Sequence, residues 1–248
     1  MKLTTEALII RVNNNIGEAD RFVTALTRDC GVIHASVRGA RQLRSRNGAA
    51  TQLLCHCRLS LFKGRDKYII DDAEPLQVFF EVREQLDRLA LAQYFCELAN
   101  TLAPREEPAE DTFRLLLGAL RYLAAGTRSP RLIKAATELR LLCQTGYAPA
   151  LTACTGCGNE QPSWFSVTQG ILLCNNCKGT VPAVPLSAGV LAALRHCCYG
   201  PLEKCFSFSL SDEGLSALSE IAERFLLAQT DRGFNTLDFY HGVQTDDT

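Results

Sequence analysis

Four cysteines in the second half of the chain constrain its fold more than any other feature. They form two Cys-x2-Cys pairs, Cys154 with Cys157 and Cys174 with Cys177, separated by a spacer of sixteen residues. This spacing is typical of one tetrahedral zinc ion held by two thiolates from each of two tight turns. Glycines beside both pairs favour such turns. Because four protein sulfurs leave no open coordination position, the sequence predicts one structural Zn²⁺ rather than a catalytic ion.

Two unconnected thiol pairs are the alternative interpretation of these cysteines. A single Cys-x-x-Cys motif occurs in thiol oxidoreductases, so a redox role for Cys154 and Cys157 stays open. The segment at about 150–180 is too short to bury a sufficient core by itself, which favours a metal. We therefore expect a zinc module inserted between helices.

Charge is distributed unevenly along the 248 residues. The net charge is −1, but residues 1–75 carry twelve Lys or Arg against eight Asp or Glu, which leaves the remainder net acidic. The amino end is therefore the expected contact for nucleic acid. The first residues are polar, and no apolar run approaches the roughly 20 residues that span a bilayer, so we expect a cytoplasmic protein without a membrane segment. Its twelve cysteines are then reduced thiols or metal ligands.

The first 75 residues predict five short β-strands. Apolar or alternating runs occupy residues 6–12, 21–27, 32–37, 53–62 and 68–73, and turn-forming residues separate them. A five-stranded barrel leaves no exposed strand edge and is the architecture of the oligonucleotide-binding (OB) fold. An SH3-like barrel is the alternative. We place this domain at residues 1–78.

Beyond Pro75 the apolar residues recur with helical periodicity. Helices are predicted over about 79–104, 111–125, 130–144, 187–198 and 212–229, followed by a polar tail. Asp111 is the expected N-cap of the second of these helices. The predicted fold class is α+β multidomain, with the barrel followed by a helical domain at 79–248 that contains the zinc insertion.

A basic segment follows the third predicted strand. It carries four arginines in nine residues without an acid, and a second basic cluster lies at a hairpin turn. The candidate DNA-binding residues are Arg38, Arg41, Arg44, Arg46, Lys63, Arg65 and Lys67. Guanidinium groups on a flexible loop suit the phosphates of an irregular single strand, and two loops beside a barrel face are how OB folds hold such strands. A solvated charged loop is the alternative.

Other candidate residues carry less specific signals. Phe22, Phe62 and Tyr68 offer rings for base stacking, although we expect Phe22 and Phe62 in the barrel core. The third helix bears basic residues beside apolar ones, which fits the acidic, hydrophobic tail of a partner protein or an ordinary solvated face. These residues are Arg128, Arg131, Lys134 and Arg140. The histidines are scattered, and neither a nucleophile motif nor a nucleotide-binding loop is present, so we expect no catalytic residues and no enzyme.

The combination of motifs resembles the bacterial RecO family of recombination mediators. The resemblance is carried by residues 6–10, 17–21, 38–41 and 45–46 together with Gly31, and by residues 138–142 and 146–149 before the cysteines. It covers about residues 5–180.

This resemblance implies a function. Family members bind single- and double-stranded DNA, anneal complementary strands coated by single-stranded-DNA-binding protein, and help RecR load RecA during repair, without ATP. It also implies a bacterial, nucleoid-associated location. A zinc-ribbon accessory protein of transcription or translation, with an RNA-binding barrel, is the runner-up interpretation.

Overall fold

The computed structural model describes residues 2–13, 20–42, 45–64 and 67–246, apart from the side chains of residues 46, 245 and 246. The chain forms two compact units. The first comprises Met1–Ala125 and Phe234–Thr248, and the second comprises Gly126–Gly233. The first unit thus contains both the barrel and helices that follow residue 79. The predicted domain boundary between residues 78 and 79 separates domains that would fold independently, whereas the two units are groups of residues in close contact. The boundary therefore stays a prediction.

Five strands close into a barrel at the amino end, as predicted. They are β1 (Lys2–Asn13), β2 (Arg21–Thr27), β3 (Gly31–Val37), β4 (Cys55–Lys63) and β5 (Tyr68–Val78). The strand order is β1-β2-β3-β5-β4, with β3 and β5 parallel and the other neighbours antiparallel. A closed five-stranded barrel of this kind confirms the OB fold.

Alternation along the strands decides which side chains enter the barrel core. In β2 the residues Val23 and Ala25 point inward, and in β4 the inward residues are the odd-numbered ones from Cys55 to Leu61. Because strand side chains alternate between faces, Phe22 and Phe62 project outward. The expectation that both rings belong to the core is therefore wrong: Phe62 is 42% exposed, whereas Tyr68 belongs to the core.

A short helix that was not predicted closes one end of the barrel. This helix, α1 (Arg46–Ala50), lies between β3 and β4. Its last residue, Ala50, is fully buried and belongs to the barrel core, as does Ala40 in the loop before the helix. Five residues are too few to show helical periodicity in a sequence, so only packing against the barrel stabilises this turn.

Four further helices complete the first unit: α2 (Phe80–Arg83), α3 (Leu86–Leu102), α4 (Glu110–Ala125) and α9 (Asn235–Asp246). Helix α4 begins at Glu110, so Asp111 lies within its first turn, where a carboxylate still complements the helix dipole, and is not its N-cap.

Helix α9 replaces the predicted polar tail. Phe234, Leu237 and Tyr240 are buried, and α9 packs against α3. The Thr236 amide donates to the Glu97 carboxylate at 3.1 Å, which ties the start of α9 to α3.

The second unit surrounds helix α5 (Pro130–Gln144). The zinc module follows, with β6 (Trp164–Ser166), β7 (Ile171–Leu173), helix α6 (Asn175–Lys178) and β8 (Val184–Pro185), and then α7 (Ala188–Tyr199) and α8 (Asp212–Thr230). The module is thus inserted between helices, as predicted. Both α7 and α8 pack on α5, whose residues 132–139 are all buried. Within the described residues, no helix is both long and apolar enough to cross a bilayer.

Candidate nucleic-acid interface and metal site

The outward face of β1, β2 and β3 presents two rows of side chains. Thr24 pairs with Arg11 on one side and with His34 on the other, and Phe22 pairs with Asn13 in the neighbouring row. A register irregularity between residues 9 and 11 of β1 shifts the alternation, so that Ile9 enters the core while Arg11 is exposed. The bulge therefore adds a cation to this face.

A cleft of about 320 Å³ lies on this face beside the hairpin that joins β4 to β5. It is lined by Arg11, Asn13, Phe22, Val23, Thr24, His34, Ala35 and Lys67. The Lys67 ammonium stands 4.6 Å from the centre of the half-buried Phe22 ring. A second cleft of about 150 Å³ shares His34 and Lys67 and adds Lys63 and Arg105. The two clefts form one groove with cations along its rim, which we call the barrel groove.

His34 joins the two clefts through two hydrogen bonds. The Arg105 guanidinium donates to Nε2 at 3.1 Å, so Nδ1 carries the proton and donates to the Thr24 hydroxyl, also at 3.1 Å. Burial lowers the pKa of His34, and the positive charges of Arg105 and Arg11 lower it further. The imidazole is therefore neutral at pH 7 and acts as a hydrogen-bonding group within a cationic groove.

Among the described lining residues, Glu106 brings a carboxylate to the rim of the second cleft. Glu106 accepts from the Lys63 ammonium at 3.1 Å, and this bond raises the pKa of Lys63. The backbone of Glu106 has φ +59°, a left-handed conformation that costs energy for a residue with a side chain. Glu106 thus partly neutralises Lys63 at the rim of this cleft.

Described residues on both sides of the basic loop after β3 are hydrogen-bonded to Asp20 and Arg21, and the flexibility expected of the loop itself stays a prediction. The amide of Gly39, at φ +62°, donates to the Asp20 carboxylate at 3.0 Å. The Arg21 guanidinium donates to the Gly48 carbonyl at 2.8 Å and to the Thr51 hydroxyl at 3.0 Å. A side chain at Gly48 would meet the Ala40 carbonyl at 2.7 Å, so this glycine serves close packing rather than flexibility. The exposed Arg38 and Arg41 therefore flank Gly39, which is hydrogen-bonded, and Ala40, which is buried in the barrel core.

Positive charge accumulates where the basic loop leaves the barrel. Burial and the neighbouring Arg41 together lower the pKa of Arg21, although a guanidinium remains charged at neutral pH. Arg21 pairs with the last residue of β3, and its side chain projects from the face of β2 opposite to Phe22. Two neighbouring guanidinium groups where the basic loop leaves the barrel favour an anion such as a phosphate.

The structure locates four of the seven predicted DNA-binding side chains. Arg38 and Arg41 are exposed on the loop, and Lys63 and Lys67 line the groove. Arg44 and Arg65 lie outside the described residues, while Arg46 begins α1 and its side chain is outside the described part.

The sequence interpretation missed Arg11, His34 and Arg105. The alternation of β1 would have predicted that Arg11 faces outward only if the sequence had revealed the bulge between residues 9 and 11. Arg105 lies in the connection between α3 and α4, and only the folded chain brings it to the barrel.

The four predicted zinc ligands converge in the second unit. Their sulfur atoms all lie within 4.8 Å of one another, and Cys157 Sγ is 3.7 Å from Cys174 Sγ. Tetrahedral zinc with bonds of about 2.3 Å requires sulfur atoms about 3.8 Å apart. The Cys174 amide also donates to Cys154 Sγ at 3.3 Å, an interaction that suits a metal-bound thiolate. The four cysteines can therefore hold one metal ion, and the chemistry of four sulfurs favours zinc.

The metal module packs on the helices of its own unit. The Arg195 guanidinium of α7 donates to the carbonyls of Leu151 and Thr152, both at 2.7 Å. Phe165 of β6 meets Phe225 of α8 edge-on, with ring centres 5.6 Å apart. The four cysteines thus lie in a segment that packs against α7 and α8.

The basic residues of α5 are not one exposed surface. Lys134 is only 2% exposed and pairs with Glu138 at 2.8 Å and Glu223 at 2.7 Å, so it cannot meet a partner's tail. Arg140 donates to the Gly200 carbonyl at 2.6 Å. Charged side chains buried inside a protein need such partners. The sequence pattern concealed this because the acids that pair with Lys134 lie on two helices.

Comparisons with known proteins agree along nearly the whole chain. The family described as "Recombination protein O N terminal" matches residues 1–79, and "Recombination protein O C terminal" matches residues 83–238. The chain is 32% identical to "DNA repair protein RecO" of Acetivibrio thermocellus, over 96% of this chain and 95% of that one. It is 35% identical to the protein of the same description from Symbiobacterium thermophilum, over 94% of each. The Roseiflexus relative is 35% identical over 97% of this chain and 85% of its own length.

Proposed function

The chain belongs to the RecO family of DNA repair proteins, and from the barrel groove we propose that it is a recombination mediator. In this role it binds single- and double-stranded DNA, anneals complementary strands coated by single-stranded-DNA-binding protein, and helps RecR load RecA. The observation that carries the proposal is the row of cations along an OB-fold groove, from Arg11 and Lys67 to Lys63 and Arg105. The basic loop extends this row.

Charge neutralisation is the mechanism we propose for annealing. Two DNA strands repel each other through their phosphates, and cations bound along one strand lower that repulsion. The exposed Arg38 and Arg41, on either side of the Gly39 amide that is bonded to Asp20, supply such cations on the basic loop. Pairing of the bases then supplies the driving force. The proposed activity breaks no covalent bond, needs no nucleotide and requires no catalytic residue.

The remaining assignments follow from this role. We propose that the four cysteines bind one structural Zn²⁺, and that the protein works in the bacterial cytoplasm at the nucleoid. For the acidic tail of the single-strand-binding protein, we keep Arg128 and Arg131 at the start of α5, where Arg131 is exposed and Arg128 half-buried. A tail peptide titrated into labelled protein should shift the resonances of these two residues, and unchanged spectra would contradict the assignment.

A strand-annealing assay tests the central proposal. Complementary strands are coated with single-stranded-DNA-binding protein and mixed with the purified chain without ATP. The proposed function requires annealing well above the rate of the coated strands alone. Failure to anneal, or tighter binding of an RNA strand than of the matching DNA strand, would favour the RNA-binding accessory protein instead. Turnover of a dithiol substrate would revive the oxidoreductase interpretation.

A further inference from the structure

The larger cleft of the barrel groove combines three kinds of side chain. Phe22 supplies an aromatic ring, Asn13 and Thr24 supply hydrogen-bonding groups, and Arg11 and Lys67 supply positive charge at the rim. A phosphate backbone alone would require only the cations. The ring and the polar groups match a nucleobase, which has a flat face for stacking and an edge of donors and acceptors.

We propose that this cleft binds one unpaired nucleobase of single-stranded DNA, stacked on Phe22. This inference rests on the proposed DNA-binding function and specifies its substrate, because a base inside a duplex has no free face to stack. The volume of about 320 Å³ is at the lower end of the range of small-molecule sites, which suits a base with its sugar.

Lys67 marks the position that the base takes. Its ammonium stands over the Phe22 ring at 4.6 Å, so the ring presents a face into the cleft. Lys67 is exposed and lies just after the hairpin turn, so its side chain can move aside. When a base stacks on the ring, the ammonium is displaced toward the phosphate of the same nucleotide. Lys67 thus exchanges its contact with the Phe22 ring for an ion pair with the phosphate, while the base stacks on the ring.

Asn13, in the row of Phe22, and Thr24, in the neighbouring row, provide contacts to the base edge. The Asn13 amide has both a donor and an acceptor, and the Thr24 hydroxyl accepts from the His34 imidazole at 3.1 Å and keeps its own proton to donate. Such groups tolerate several bases, so we expect binding of an unpaired base with weak sequence preference.

Phe62 offers a matched control within the same barrel. It is also an outward-facing ring covered by a lysine, with Lys2 at 5.8 Å from its centre, but it lines neither cleft of the groove. Both variants replace a phenylalanine by leucine. Phe22→Leu removes a ring inside the proposed site, and Phe62→Leu removes a ring outside it.

The test compares single-stranded oligothymidylate with a duplex of equal length by fluorescence anisotropy at several salt concentrations. Phe22→Leu should weaken single-strand binding by about 5-fold or more, the lower limit for loss of one stacking ring. Duplex affinity and the salt slope should stay unchanged because no cation is removed. Phe62→Leu should resemble the unaltered protein. Equal single-strand affinity for both variants, or equal weakening on both DNA forms, would overturn the proposal.

A second measurement needs no variant and covers the case in which Phe22→Leu fails to fold. The unaltered protein is titrated with an intact strand and with a strand of equal length that carries several abasic positions. These positions are spaced so that every binding register places one of them in the cleft. The proposal expects the abasic strand to bind at least about 5-fold more weakly at the same salt concentration. Equal binding of the two strands with a steep salt slope would refute the base site and leave the proposed DNA-binding function intact. Absence of binding to any DNA would instead refute the proposed function.

Discussion

Removal of two arginines from the basic loop should change how DNA binding depends on salt. Among the described residues, the groove and loop carry six exposed cations. They are Arg11, Arg38, Arg41, Lys63, Lys67 and Arg105. If each contacts one phosphate of a single strand, the slope of log K against log salt is about −4, since each contact contributes about −0.7. The double variant Arg38→Gln/Arg41→Gln should then have a slope of about −3.

The same slopes predict affinities. Between 50 mM and 200 mM salt, the unaltered protein should lose about 300-fold in affinity and the double variant only about 50-fold. Because phosphates carry no sequence information, the loss should be similar for all sequences. Fluorescence anisotropy with a labelled single strand over this range measures both slopes.

The control variant removes the same charge from the second unit. Arg224→Gln/Arg232→Gln changes two exposed arginines that line neither cleft, so its slope should equal that of the unaltered protein. An unchanged slope for the loop variant, with an intact melting curve, would show that Arg38 and Arg41 contact no phosphate. An equal fall in both variants would indicate an effect of net charge only.

Four other changes should have separable effects. Glu106→Gln should tighten DNA binding, because Lys63 loses a competing carboxylate; weaker binding in anisotropy would contradict this. The pKa of His34 in the folded protein lies below its usual 6.5, so the unfolded chain takes up the proton first as the pH falls. The stability contributed by the neutral imidazole should therefore be complete above pH 6.5 and be lost as the pH falls through the lower pKa of the folded state. An NMR titration that gives a pKa of 6.5 or higher would refute this. Lys134→Met should cost about 3–5 kcal/mol in urea unfolding, since Glu138 is left buried without its counter-charge, and Lys134→Met/Glu138→Leu should recover much of the loss. Chelation of the metal should lower the melting temperature while single-strand affinity persists, and loss of both together would assign the ion a direct part in DNA binding.

Much of the fold was predictable because its signals are local. Strand alternation and turn residues located all five barrel strands, since each strand buries one face and exposes the other. The cysteine spacing predicted the metal site because two tight turns can bring their sulfurs together without help from distant residues. Helix α9 was missed because its buried side chains are set among polar ones, and their burial depends on the surface of α3.

The amino-acid sequence by itself determined the barrel, the metal ligands and the basic character of the amino end. Tertiary structure alone decided which of these residues share one groove. The closure of the barrel turned Phe22 outward, a bulge in β1 exposed Arg11, and the α3–α4 connection brought Arg105 to His34. Folding also withdrew Lys134 from the surface by pairing it with Glu223, which is 89 residues away in the chain. The physical reason is that charge and alternation are properties of short segments, whereas exposure and partnership depend on which segments pack together.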